Sequence, residues 1–165
     1  MIKRFNQYTS ESATSDYLLY YAFDWDDNIL YMSTKIHMEK KTASGWVRTD
    51  VSTAKFSEIR NDPEWRYIDN SFSEFGDKGP RGESAFLEDV KQALSLKTFG
   101  PSWNDFIDCL TSGCLFAIIT ARGHESKSIR MGIEYIIDNI LDENELYNLY
   151  NNLLSFTYLF DEDTD

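Results

Sequence analysis

Two of the hydrophobic runs along the chain are short and unbroken. Leu18-Leu19-Tyr20-Tyr21-Ala22-Phe23 and Cys114-Leu115-Phe116-Ala117-Ile118-Ile119 lack polar alternation, as expected of parallel strands covered on both faces. Elsewhere the apolar positions recur at mostly helical spacing: Phe86, Leu87, Val90, Leu94 and Leu96, then Ile129, Ile133, Ile136, Ile137 and Ile140, then Leu146, Leu149 and Leu153 beyond Asp142. Ser102 ahead of Trp103 to Leu110 reads as an N-cap opening a short helix that Gly113 ends. Phe156-Thr157-Tyr158-Leu159-Phe160 predicts a third strand. Between the first strand and the first helix, Lys35 to Glu39 alternates polar and apolar, Ala43-Ser44-Gly45 turns, and Trp46-Val47-Arg48 returns as a hairpin. Irregular loop follows around Asp62-Pro63 and Gly76 to Pro80, with Trp65, Tyr67, Phe72 and Phe75 available to pack it onto a neighbour.

The order strand, helices, strand, helices, strand predicts an α/β fold. It is a Rossmann-like parallel sheet with helices on both faces, right-handed crossovers, and a β-hairpin flap or small cap after the first strand. Residues 1–16 are polar and Ser/Thr-rich and read as a flexible arm; 17–165 read as one domain, with the cap inserted across about 29–82. No internal repeat is visible.

Composition narrows the possible partners. A chain of 165 residues with 42% hydrophobic content is long enough for one domain with a real core. A formal net charge of −12 argues against a nucleic-acid surface and leaves a small anionic substrate in a metal-charged pocket. No apolar core stands behind Lys3-Arg4, and the apolar runs are too short to span a bilayer, so a cytoplasmic protein without membrane contact is expected. Cys109 and Cys114 match neither a redox pair nor a zinc knuckle and read as reduced core thiols.

The chemistry is concentrated where the two unbroken strands end. The first runs into Asp24-Trp25-Asp26, the second into Thr120-Ala121-Arg122, and ligands of open α/β sheets bind beyond the carboxyl ends of the strands. Clustered carboxylates at a strand end repel unless a cation or proton sits between them. Asp24 and oxygens of the Asp26 region can hold Mg²⁺, a hard cation that keeps waters for a substrate phosphate. Asp24 can then attack phosphorus, and Asp26 can exchange the protons of the leaving oxygen and of the hydrolytic water. Thr120 and Ala121 would grip a phosphoryl oxygen at the start of a helix, while Arg122 either contacts substrate or pairs with a carboxylate. The plainer expectations are an acidic turn at Asp24 and Asp26, an ordinary N-cap at Thr120, a solvated Asp27, surface positions for His37 and His124, and a solvated acidic tail from Asp161 onward.

The pair of motifs resembles the haloacid dehalogenase superfamily of phosphohydrolases. Its hydrophobic strand ending in DxD is matched by Asp24 and Asp26, and its strand ending in Thr or Ser by Thr120; the Thr-Ala-Arg form is similar to that of several phosphatase branches, including polynucleotide phosphatases. The resemblance implies Mg²⁺-dependent phosphoryl transfer through an aspartyl-phosphate, with a flap formed by the hairpin. The family's usual Gly-Thr after DxD is Asp27-Asn28 here. The family also uses a downstream Lys or Arg and a later acidic strand end, whereas no Lys or Arg follows Arg130. The chain therefore resembles the front portion of that domain, its first strand expecting a neighbour from further polypeptide or from a protein partner covering the open edge. A non-catalytic relative serving as a structural or interaction module, such as a virion component, is the rival expectation. Abundant Asn, Ile and Tyr fit an AT-rich, phage-like source.

Overall fold

A computed structural model describes residues 20–161, with side chains described through 152. The predicted arm at 1–16 and the acidic positions 162–165 lie outside the described residues. The fold is mixed α/β, with a two-stranded parallel sheet, a three-stranded antiparallel sheet and five helices among the described residues.

Strand β1 (Tyr20–Asp24) pairs in parallel with a strand far along the chain, Leu115–Ile119, Tyr20 lying opposite Leu115 and Asp24 opposite Ile119. Alternation sends Phe23 into the core, where its ring meets Phe106 at 5.5 Å and Phe116 at 6.2 Å. The opposite face carries Tyr20, Leu115 and Ile119, the last 60% exposed. Helices on both faces of a Rossmann-like sheet were expected; among the described residues the sheet has two strands and one covered face.

The cap is a sheet of β2 (Ile36–Thr42), β3 (Gly45–Val51) and β4 (Trp65–Tyr67), with helix α1 (Thr53–Ile59) between the last two strands. The β2–β3 hairpin follows the expected alternation, turning between Thr42 and Gly45, whose φ of 111° suits a residue without Cβ. Ile36, Met38, Val51 and Ile59 form its small core. The pattern did not predict α1 or β4. Helix α1 is short and carries only one fully buried side chain, Ile59, although Ser52 caps it by accepting from the Lys55 N–H.

Helices α2 (Ala85–Leu96) and α3 (Trp103–Thr111) fall where the spacing places them. The second parallel strand, β5 (Leu115–Ile119), follows, then α4 (Ser126–Ile140) and α5 (Glu143–Asp161). The third strand expected at 156–160 is instead helix. No Gly or Pro interrupts 143–161, and the apolar period of Leu146, Leu149 and Leu153 continues in sequence at Phe156 and Phe160, outweighing the weak strand preference of the aromatics. Gly132 lets α4 approach α2, since a Cβ there would lie 2.6 Å from the Phe86 ring. Among the described residues no helix is long and apolar enough to cross a membrane.

Candidate active site

Because β1 and β5 run parallel and in register, Asp24-Trp25-Asp26 and Thr120-Ala121-Arg122 emerge from adjacent strand ends. Trp25 anchors the first of these loops. It is fully buried, 5.0 Å from the Phe86 ring and 6.2 Å from Phe106, so alternation sends the flanking aspartates to the other side of the chain, Asp24 exposed and Asp26 partly so. Asp24 is exposed, with the Asn28 amide 3.5 Å from its carboxylate.

Asp26 is held. The Arg122 guanidinium donates through Nε at 2.9 Å and Nη2 at 2.6 Å to its two oxygens, a fork matched to the planar carboxylate. Arg122 has no exposed side-chain surface, lying over Phe75 at 4.7 Å and Phe86 at 5.5 Å. Its Nη2 also donates to the Thr34 hydroxyl at 2.9 Å. Of the two roles open to Arg122 from sequence, the geometry places it on the carboxylate; Nη1 makes no hydrogen bond to protein.

Thr120 is half-buried, and its hydroxyl accepts the Arg122 backbone N–H at 3.2 Å, while Ala121 is exposed. These residues were expected at a helix start, yet α4 begins only at Ser126, after the cap residue Glu125. The N–H of Glu125 donates to Asp77 Oδ2 at 2.8 Å, so a carboxylate from a distant loop serves the helix N-terminus. The same loop is tied down by the Gly123 N–H donating to the Phe75 carbonyl at 2.7 Å.

Several neighbours differ from the sequence expectation. Asp27 is half-buried with φ of 58°, a conformation that Asp tolerates better than most residues, and accepts from the Thr53 hydroxyl at 2.8 Å. Burial raises its pKa, with Asp26 and Asp24 adding to the rise and the Thr53 bond and Arg122 opposing it. His124, expected on the surface, is buried, its ring 5.4 Å from that of Phe86. Desolvation and then Arg122 lower its pKa, against the pull of Asp77, Asp26 and Asp89. His37, also expected on the surface, is buried between Asp50 at 2.7 Å and Glu74 at 3.2 Å.

The residues missed from sequence are Thr34, Arg81 and Asp89. Asp89 is 1% exposed and accepts from the Ser33 hydroxyl at 2.8 Å, from Thr34, and from Arg81 Nη1 at 2.8 Å. A carboxylate set among Phe86, Val90 and Ala93 on one helix face was its available signal. Thr34 offered none.

Among the described residues no group of three or more His, Cys, Asp or Glu is placed to hold a metal ion. Mg²⁺ commonly takes only one or two protein carboxylates beside waters and substrate phosphate, and the exposed Asp24 fits that mode, whereas the Asp26 side chain is engaged by Arg122. No protein-family model matches the chain, and no curated protein or solved structure is significantly similar to it.

Proposed function

We propose that this chain is a Mg²⁺-dependent phosphohydrolase of the haloacid dehalogenase type, acting on a small phosphorylated substrate. The observation that carries the reading is the meeting of the two strand-end motifs, joined by the Arg122 fork on Asp26. Asp24 attacks the phosphorus, the ester oxygen leaves, and Asp26 gives that oxygen a proton. Water then attacks the phosphoaspartate, its proton passes to Asp26, and phosphate and the free Asp24 carboxylate are released. Arg122 occupies one lone-pair position on each Asp26 oxygen; in this cycle Asp26 starts with a proton on one of the positions left, gives it to the leaving oxygen, and regains it from the attacking water. Thr120 and the Ala121 N–H hold a phosphoryl oxygen. Asp24 and oxygens of the Asp26 region would hold Mg²⁺, which when bound would supply the positive charge that lets a carboxylate approach a phosphate.

The test is hydrolysis of p-nitrophenyl phosphate with and without Mg²⁺. Activity should require the metal and vanish in Asp24→Asn; equal activity in wild type and variant removes the assigned nucleophile. The second reading, a non-catalytic module whose exposed sheet face meets a protein partner, is favoured by the exposed Tyr20, Leu115 and Ile119 on one face of the β1–β5 sheet. It predicts a folded wild type with no metal-dependent hydrolysis of any phosphomonoester.

A further inference from the structure

We propose that Asp89, on helix α2, is a positioning residue for Asp26, acting through Thr34 and Arg122. The direction of the chain of hydrogen bonds is dictated by what each group can do. A guanidinium only donates, a carboxylate only accepts, and a hydroxyl does both with a single hydrogen. Thr34 accepts from Arg122 Nη2 at 2.9 Å and gives its one hydrogen to Asp89, so Asp89 turns the hydroxyl lone pairs toward the guanidinium. That bond, with the rings of Phe75 and Phe86, fixes the plane in which Nε and Nη2 meet Asp26.

Asp89 is held in turn. Ser33 donates to it at 2.8 Å, and Arg81 pairs with it at 2.8 Å while approaching Glu74 at 3.8 Å, and Glu74 touches His37 of the cap. A buried carboxylate with these partners spans from the cap-side loop to the proton-exchanging aspartate. An amide at position 89 that turned its NH₂ toward Thr34 would reverse the hydroxyl and set its hydrogen against Arg122.

The consequence for rate rests on the phosphohydrolase reading; the consequence for Arg122 does not. The experiment therefore uses two readouts on the full chain. The first is hydrogen exchange of the Arg122 Nε–H by NMR, assigned by its loss in Arg122→Lys. The second is kcat and KM for p-nitrophenyl phosphate with Mg²⁺. In Asp89→Asn, Nε–H exchange should accelerate about tenfold or more. kcat should fall on the order of tenfold to a hundredfold with KM nearly unchanged. Thr34→Val should behave alike and Thr34→Ser should restore both readouts, which decides the matter even where Asp89→Asn does not fold. Wild-type exchange and kcat in Asp89→Asn or Thr34→Val overturn the proposal, as does a raised KM with kcat intact. Accelerated exchange in a protein whose wild type hydrolyses nothing upholds the positioning of Arg122 and discards the phosphohydrolase reading.

Discussion

Replacing Arg122 with Met removes a fully buried cation while keeping much of its length between Phe75 and Phe86. Two charge-assisted bonds to Asp26 and one to Thr34 are lost together. Stripping one partner from a buried ion pair costs about 3–5 kcal/mol, because the remaining charge is left without compensation. The Asp26 side chain keeps 17% exposure and some water, which puts the expected loss near the lower end, about 3 kcal/mol. Urea denaturation would read this directly, and the melting temperature should drop by about 6–12 °C for a domain of this size. A double-mutant cycle with Asp26→Asn isolates the pair: the second substitution should recover part of the loss, with a coupling of about 2 kcal/mol. A coupling below about 0.5 kcal/mol would falsify the claim that Arg122 is committed to Asp26.

Other outcomes follow from the same geometry. Asp24→Asn, at an exposed position, should lose hydrolysis while changing unfolding free energy by less than about 0.5 kcal/mol; a larger change would mean that Asp24 is structural. Gly132→Ala should destabilise by about 1–3 kcal/mol, read by denaturation, because its methyl group meets the Phe86 ring; a neutral result would show that α2 and α4 can separate freely. The folded-state pKa of His124 lies below its ordinary 6.5, chiefly through desolvation, so the unfolded chain takes up the proton first as pH falls. Stability from this group is whole above 6.5 and declines as pH drops through that value toward the folded one; His124→Gln should flatten the slope, and parallel curves would contradict the assignment. Burial, with the neighbouring Cys114, pushes the Cys109 thiol up to about 12, so it should resist alkylation in the native protein at mildly alkaline pH and react on unfolding.

The positions of β1, β5 and helices α2, α3 and α4 were legible in the sequence, because each depends on a local period of apolar residues and on turn residues beside it. So was the placement of two polar motifs at strand ends. The 156–160 segment was misread because strand preference is weak and a helical period running in from upstream overrides it. Sequence likewise could not bring Asp89, Thr34 and Arg122 together: they lie 55 and 88 positions apart, and their association depends on α2 packing beside the loops that leave β1 and β5. Local pattern therefore determined which chemical groups stand at the ends of β1 and β5. Tertiary packing decided that Arg122 faces Asp26, that Asp77 serves the start of α4, and that one face of the β1–β5 sheet is uncovered among the described residues, since long-range pairing and desolvation exist only once distant segments share a core.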